Sequence, residues 1–267
     1  MGYFDENSRG VGEFFADNVI DRCFKDGGFW RRDYHSIINV ERLNDEIYGA
    51  LSNRYLRWNE TLTYTISNVG EGKVYRYYSA SSVEIIDIGD VEKIIRNYRY
   101  DIRVSGQRIF SFEEHRNAIL THNFRENPEY KNDGLTVKVD DSDFHFSFSA
   151  DVFVKGTIAD IVVDEESFIS IEDRIYQLTF NESTKRVTFR LNLPHDLEIY
   201  HYGITGTRFG TKRSSHVHPN QHAPNRISID IGDWTLPGLV AILAWKEKQT
   251  PTMPIGEPDG SDNSSQG

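Results

Sequence analysis

Histidines and an aspartate near the carboxyl end of the sequence have the residue types and spacing of metal ligands. His216 and His218 are two residues apart, so in an extended segment they point to the same face, and His222 can reach them round a short turn. Asp230, or Asp233 beyond it, adds a carboxylate. Neutral imidazoles with a carboxylate suit zinc or another divalent ion, which could activate a water molecule. We therefore treat His216, His218, His222 and Asp230 as candidate metal ligands, and His216 and His218 as candidate catalytic residues.

The same part of the sequence lacks acidic residues. Residues 199–229, the basic segment, contain no Asp or Glu, although about five would be expected in 31 positions at the chain's average acid content. The candidate binding residues in it are Arg208, Lys212, Arg213, Asn220 and Arg226. A positive cluster in an acidic protein attracts anions such as phosphates, carboxylates or an acidic protein surface. Alternatively, these cations pair with acids elsewhere in the fold, and the segment is ordinary surface.

Length and composition limit the function classes. The chain has 267 residues, and 30 Lys plus Arg against 41 Asp plus Glu give a net charge of -11, which argues against a protein that coats nucleic acid. Cys23 is the only cysteine, so an intramolecular disulfide and a Cys-rich zinc site are excluded. Because the sequence has no long apolar run and no signal-peptide pattern at its N-terminus, we expect a soluble, cytoplasmic protein without membrane association.

Apolar spacing in the first half predicts helices mixed with β-hairpins. Three- and four-residue steps indicate amphipathic helices, whereas period-two alternation indicates strands. A capping box at residues 111–114 predicts the start of a further helix, which should end before Pro128. The helices are expected at residues 11–25, 40–58, 90–98 and after 111, and the hairpins at residues 61–88 and 100–110.

The spacing of short apolar runs in the second half of the sequence predicts antiparallel β-structure. Short strands at about ten-residue spacing predict a meander or small barrel. Strands are expected at residues 135–139, 144–154, 158–163, 168–171, 175–180, 187–193 and 227–231, with 175–180 and 187–193 paired as a hairpin, and an apolar helix at 236–245. The predicted fold class is α+β: N-terminal helices with β-hairpins, then an antiparallel β-rich region with a C-terminal helix. The predicted divisions are residues 1–130, residues 131–247 with the basic segment, and a disordered tail at 248–267.

One stretch resembles a known family. The run His218-Pro219-Asn220, followed by Ile227-Ser228-Ile229-Asp230 and Trp234, resembles the core motif of ubiquitin-conjugating enzymes, and the likeness covers residues 187–246. The resemblance implies that Ser228 stands at the position of the family's catalytic cysteine and that Asn220 matches its oxyanion-stabilising asparagine. A serine hydroxyl cannot replace the thiolate in thioester exchange without an activating base. The resemblance therefore implies a non-conjugating relative whose fold binds proteins.

Two functions of different class follow from these features. The first is a non-catalytic protein-interaction module whose basic, His-rich segment binds an acidic partner. The second is a hydrolase acting on a phosphodiester, in which the histidines bind a metal or serve as acid and base while the cations neutralise phosphate. The cofactor stays open, with a divalent metal such as zinc as the candidate. A protein is the expected partner; nucleic acid is not favoured, because residues 1–130 hold 17 Lys plus Arg against 21 acids.

Overall fold

Strands dominate the structure, a computed structural model that describes residues 29–68, 74–154, 156–205, 208–209, 215–219, 223–235 and 237–248. In chain order, the strands of this part are β1 Phe29–Arg42, β2 Tyr55–Asn68, β3 Val74–Glu84, β4 Arg99–Val104, β5 Gln107–Ser111, β6 Glu129–Asn132, β7 Leu135–Val139, β8 Asp143–Phe153, β9 Ile158–Ser170, β10 Ile175–Phe180, β11 Thr184–Asn192, β12 Leu197–Thr205, β13 Arg208–Phe209, β14 Ser215–Pro219, β15 Arg226–Thr235 and β16 Leu239–Glu247.

Helices are short in the described ranges. The α-helices are α1 Asp45–Tyr48, α2 Val91–Asn97 and α3 Phe112–Thr121, and 3-10 turns cover Gly49–Asn53 and Ile88–Asp90. Helices α2 and α3 confirm two predictions, and α3 ends before Pro128 as expected. None of the helices in the described ranges has the length and apolar character needed to cross a membrane. The predicted helix at residues 11–25 and the predicted tail from residue 249 lie outside the described residues.

The strands form three sheets. A nine-stranded sheet has the order β13-β15-β11-β1-β2-β9-β4-β5, with β14 also paired to β15. A four-stranded sheet has the order β3-β8-β7-β6, and a three-stranded sheet has the order β10-β16-β12. Strands β1 and β11 run parallel, whereas the other described pairs are antiparallel. The region predicted to be antiparallel, residues 131–247, therefore contains one strand, β11, that also pairs in parallel with a strand from the first part of the chain.

Alternation along β1 gives the nine-stranded sheet two different faces. Ile38 and Val40 are buried, whereas the alternate residues Ile37 and Asn39 are exposed. Successive side chains of a strand point to opposite faces, so a row of apolar residues on one side is matched by a polar row on the other. The inner face packs on the two smaller sheets. On this outer face Ile37 and Asn39 are exposed, whereas Phe168 of β9 is covered by Tyr48 of α1.

Aromatic contacts join the inner face to the smaller sheets. The ring of Tyr100 on β4 lies 4.7 Å from that of Phe146 on β8, which attaches the four-stranded sheet. Tyr176 on β10 lies 5.0 Å from Trp58 on β2 and 5.5 Å from Phe189 on β11, which attaches the three-stranded sheet. Such pairs bury large apolar areas and add about 0.5–1.5 kcal/mol each beyond that burial.

The start of β1 is held to two other parts of the chain by an ion pair and by hydrogen bonds through a tyrosine hydroxyl. Arg31 on β1 places its Nε 2.9 Å from Oε2 of Glu182, which lies just before β11. Arg31 also donates to the hydroxyl of Tyr75 on β3 over 3.1 Å, and that hydroxyl donates to Glu182 over 3.0 Å. The Arg31 side chain is only 17% exposed, so loss of one partner would leave a poorly solvated charge.

The predicted fold class is wrong, because strands dominate the described residues and the predicted C-terminal helix is a strand. Of the predicted helix at residues 236–245, residues 237–245 lead into and form most of β16, the middle strand of the three-stranded sheet. The half-buried positions Val240 and Ile242 of β16 are as apolar as its buried positions, so the strand is a continuous apolar run, which periodicity alone does not separate from a buried helix.

The predicted helix at residues 40–58 is also wrong. Its apolar residues fall into three different elements: Val40 lies near the end of β1, Leu51 lies in a 3-10 turn, and Tyr55 begins β2. All three are buried, but Ile47 on α1 is 73% exposed. The three- and four-residue spacing of these apolar residues is therefore accidental, because the segment consists of the end of β1, a short connection and the start of β2.

Two of the three predicted hairpins are wrong and one is confirmed. Strand β2 pairs with β1 and β9, whereas β3 pairs with β8 in another sheet, so residues 61–88 are no hairpin. Similarly, β10 pairs with β16 and β11 with β1 and β15. Strands β4 and β5 do pair through the predicted turn at Ser105 and Gly106. Turn residues mark where the chain reverses but not which strand becomes the partner.

Two glycines in similar turns provide a test of this fold. Gly106 and Gly134 both have φ of +81°, and the residues before them also have positive φ, as in type I′ turns. A Cβ at Gly134 would lie 2.1 Å from the carbonyl oxygen of Ser149, whereas one at Gly106 would meet nothing within 4 Å. We expect Gly106→Ala to lower the free energy of unfolding by about 1–2 kcal/mol from backbone strain. Gly134→Ala should lower it by at least about 1 kcal/mol more, because the backbone of β8 must shift.

Urea unfolding of both variants measures this difference. The Gly106→Ala variant is the control for the left-handed backbone conformation alone. Equal destabilisation of the two variants would contradict the close approach of the β6–β7 turn to β8.

Candidate functional site

The basic segment forms one edge of the nine-stranded sheet. It begins within β12 of the three-stranded sheet and continues into β13 and β14, which both pair with β15. Arg208 lies on β13 opposite Thr235. On β14, position 216 lies opposite Asp230 and position 218 opposite Ser228. The register therefore brings three of the four predicted metal-ligand positions, 216, 218 and 230, to neighbouring places on two strands.

The remaining predicted residues of this segment are placed only in part. Lys212, Arg213, Asn220 and His222 lie outside the described residues, and for Arg208, His216 and His218 the description is limited to the backbone. Among the side chains that the structure describes, no group of three or more His, Cys, Asp or Glu is arranged to hold a metal ion. The metal site and the catalytic roles of His216 and His218 stay predictions.

Arg226, another predicted binding residue, belongs to a patch on the outer face of the large sheet. We define the outer patch as Ile37 on β1, Arg190 on β11 and Arg226 on β15. Ile37 is paired in register with Arg190, and Arg226 with Asn192, whose amide donates to Asn39 over 2.8 Å. Both arginines are exposed, and Ile37 is 40% exposed. The patch thus combines two cations with an accessible aliphatic side chain.

The arginines of the outer patch have no ion-pair partner among the described residues. On the same face, β15 carries Asp230 and β1 carries Glu41, and neither carboxylate pairs with Arg190 or Arg226. At the opposite edge of the sheet, by contrast, Arg57 and Arg99 pair with Glu166, and Arg103 pairs with Asp164. The two guanidinium groups near the basic segment are therefore free to contact an acidic group from outside.

A second candidate site lies inside the protein, where the three sheets meet. It is a cavity of about 310 Å³ between β2 and β9 of the large sheet, β3 of the four-stranded sheet and β10 of the three-stranded sheet. Glu60 on β2 and Glu165 on β9 line it and are directly opposite each other in register. Like charges in that position repel, so the pair needs a proton or a cation to be stable.

Neutral groups hold the two glutamates. Ser36 donates its hydroxyl to Oε1 of Glu60 over 2.7 Å. Ser81 donates to Oε1 of Glu165 over 2.7 Å, and the hydroxyl of Tyr98 donates to the same atom over 3.4 Å. These hydrogen bonds orient the carboxyl groups without neutralising their charge.

The environment shifts the acidity of both groups in the same direction. Burial raises the pKa of Glu60 above its ordinary value, despite the hydrogen bond from Ser36. Burial, together with repulsion from Glu60, raises the pKa of Glu165 to about 7. Below that pH Glu165 is protonated, and the pair carries at most one negative charge. A carboxyl group that titrates near neutral pH can accept or donate a proton, or can ionise when a cation arrives.

Sequence reasoning missed this pair, although a signal was present. Positions 62, 64 and 66 form the apolar side of a predicted strand. The preceding positions on the same side are Glu60 and Trp58. On β9 the inward phase runs through Ile161 and Val163 to Glu165. An acidic residue at an inward position violates the alternation of a half-buried strand, and such violations are expected at functional or strained sites.

The raised pKa of Glu165 predicts how stability depends on pH. The unfolded chain releases this proton near the ordinary pKa of 4.5, whereas the native protein retains it up to about pH 7. The unfolded state therefore binds fewer protons between these values, and the free energy of unfolding falls as pH rises through this window. Glu165→Gln removes that loss, so its stability relative to wild type should rise by about 1–3 kcal/mol from pH 4.5 to pH 8.

Urea unfolding at several pH values tests this expectation. Glu166→Gln is the matched control, because Glu166 is the next residue of β9 and faces the outer side, where it pairs with Arg57. A difference between Glu165→Gln and wild type that does not change with pH would show that Glu165 has an ordinary pKa.

Comparisons with known proteins do not assign the chain to a family. No protein-family model matches it, and no curated protein sequence matches it either. Among solved structures, a variant of the M1 zinc metallopeptidase from Deinococcus radiodurans aligns with 82% of this chain at 8% identity and a TM-score of 0.32. A Legionella pneumophila protein named for nutrient binding aligns with 80% of this chain at 6% identity and a TM-score of 0.31, covering 66% of its own length. The chain spans 43% of the length of the metallopeptidase. Likenesses this weak establish neither a shared fold nor a shared activity.

Proposed function

We propose that the chain is a non-catalytic protein-interaction module that binds an acidic partner through the outer patch and the adjoining basic segment. The observation that carries this proposal is the pair of exposed arginines, Arg190 and Arg226, which lie on one face of the sheet without an ion-pair partner among the described residues. The proposal includes the cytoplasmic location expected from the sequence.

The chemistry of the outer patch suits a protein surface better than a small anion. Arginine is enriched among the residues that dominate binding energy at protein interfaces, and its guanidinium group pairs with carboxylates in a fixed geometry. Ile37 adds an apolar contact that a simple polyanion would not use. Since the chain has a net charge of -11, an acidic partner is attracted only by this local region and is repelled elsewhere, which orients the complex.

The resemblance to ubiquitin-conjugating enzymes points to the same class of function. It implies protein binding without conjugation, with Ser228 in place of the catalytic cysteine. Ser228 lies on β15, between Arg226 and Asp230 and opposite position 218. The resemblance supports the proposal through these few positions, and no comparison adds to it.

Charge removal tests the outer patch. We expect Arg190→Ala/Arg226→Ala to weaken binding of a fluorescently labelled poly-glutamate peptide by about 3- to 10-fold, since each lost exposed charge interaction is worth roughly 0.3–0.7 kcal/mol. Fluorescence anisotropy at low and at physiological ionic strength measures this. The effect should shrink at the higher ionic strength, because exposed charges are screened.

Arg76→Ala is the matched control for this experiment. Arg76 is a highly exposed arginine on β3, in a different sheet, and its removal changes the net charge by the same amount per residue. Equal weakening by Arg76→Ala and by the single variants of the outer patch would show that only net charge matters. That result would refute a localised binding surface.

The second candidate function is a metal- or histidine-dependent hydrolase acting on a phosphodiester. The observation that favours it is the register of β14 and β15, which brings positions 216 and 218 beside Asp230. Two histidines at alternate positions of one strand and a carboxylate on the next strand can supply three ligands to a tetrahedral zinc ion and leave one position for water. His222, from the predicted set, would be a further ligand, and the nearby basic residues would neutralise the phosphate.

Zinc binding distinguishes the two functions. If the hydrolase proposal holds, protein prepared without a histidine tag contains one zinc per chain, and His216→Ala/His218→Ala loses it. His201→Ala serves as the control, because His201 is an exposed histidine on β12 in the three-stranded sheet. Elemental analysis and a zinc-chelator titration give the stoichiometry. Equal zinc content in wild type and the double variant would eliminate the predicted metal site.

A further inference from the structure

The cavity between the three sheets has features of a ligand site that the proposed protein-binding surface does not use. It opens on the inner side of the nine-stranded sheet, whereas the outer patch lies on the other face. Its volume of about 310 Å³ is at the lower end of the range for small-molecule sites. A ligand that fits it is therefore a small molecule.

One wall of the cavity is aromatic. The rings of Trp58 and Tyr176 lie 5.0 Å apart at an interplanar angle of 40°, and both residues line the cavity. We call these two residues the aromatic wall. The faces of such rings carry partial negative charge and attract an organic cation while covering its apolar part. A bare metal ion would gain little from this wall, and the described residues hold no cluster arranged for a metal.

The polar lining carries negative charge without a counter-ion. Glu60 and Glu165 are partly buried, and Glu84 and Asp173 are exposed toward the solvent side. No Lys, Arg or His occurs among the described residues that line the cavity. When a cleft is lined by charges of one sign and surrounded by protein of low dielectric constant, the electric field is concentrated inside it. The cavity therefore attracts cations and excludes anions.

Hydrogen-bond chemistry narrows the class of cation. Ionised carboxyl groups only accept hydrogen bonds, and the hydroxyl groups of Ser36 and Ser81 already donate to Glu60 and Glu165. A ligand must therefore bring both a positive charge and N–H donors. A primary ammonium group has three N–H donors and forms charge-assisted hydrogen bonds with carboxylates. It would also relieve the repulsion between the two facing glutamates.

We propose that this cavity binds a small organic cation whose primary ammonium group lies between Glu60 and Glu165 and whose apolar part lies against the aromatic wall. The carboxylates give specificity for charge and for N–H donors. The aromatic wall gives affinity for the apolar part. The site is independent of the proposed binding of an acidic protein, because it uses the other face of the sheet.

Calorimetric titration of the full chain with n-pentylamine at pH 7 tests the proposal. We expect saturable binding that becomes about tenfold weaker or undetectable in Glu165→Gln, because hydrogen bonds to a charged group are worth about 1.5–3 kcal/mol. Tyr176→Leu should weaken binding several-fold through loss of the aromatic face. Glu166→Gln should bind as wild type does, since Glu166 faces outward on the same strand and pairs with Arg57 and Arg99.

Ligand analogues separate the contributions of charge and of donors. 1-Pentanol and pentanoate keep the apolar part but lack the positive charge, so neither should bind measurably. Tetramethylammonium keeps the charge without N–H donors and should bind at least several-fold more weakly than n-pentylamine. Circular dichroism shows whether each variant is folded. Equal affinity of n-pentylamine and 1-pentanol, wild-type affinity in folded Glu165→Gln, or no binding of n-pentylamine to the wild-type chain would each overturn the proposal.

Discussion

The period-two alternation of the long central strands is the constraint on which the rest of the structure depends. In β1 beyond the bulge between Arg32 and His35, and along β2, one phase of alternation determines which side chains face the smaller sheets and which face outward. The inner phase packs against the two smaller sheets through aromatic side chains. The outer phase carries Thr, Asn and charged residues and remains accessible. Both candidate surfaces follow from it: the outer patch on one face and the cavity on the other.

The inner face contains a departure from this rule, and the departure defines its chemistry. One row of register partners on adjacent strands consists of Ile227, Leu191, Ile38, Glu60 and Glu165. An apolar pair at the last two places would be more favourable for packing, because burial of a carboxylate is costly unless it is protonated or paired. The surrounding hydroxyl groups orient the glutamates but supply no charge. A protein that keeps this arrangement gains a pocket with selectivity for charge at the expense of core stability.

Local patterns in the sequence predicted several of the extended segments, but not β1 or β12, and not how the strands combine. Alternation in residues 144–154 and 100–110 reported single strands and a short-range turn, and these predictions hold. The partner of a strand depends on contacts between residues far apart in the chain, so no local sequence pattern indicates that β2 pairs with β9. The spacing predicts a helix for β16 because both its buried and its half-buried positions are apolar, so its sequence does not alternate. For the sites, charge alone predicts Arg226 as a binding residue, whereas Glu60 can be recognised only once its strand has a defined inward phase.

The parallel pairing of β1 with β11 has a consequence for how the chain folds. These strands are registered from Arg31 with Thr184 to Asn39 with Asn192, so the centre of the large sheet joins segments far apart in the chain. During synthesis, β1 and β2 emerge long before the strand that completes their edge. Until then the edge of β1 exposes unpaired backbone groups, which are templates for association with other chains. Closure of this long loop makes folding slow relative to helical proteins of the same size. The nascent chain therefore passes through a period in which one edge of β1 is open, and chaperone binding to residues 29–42 would protect it.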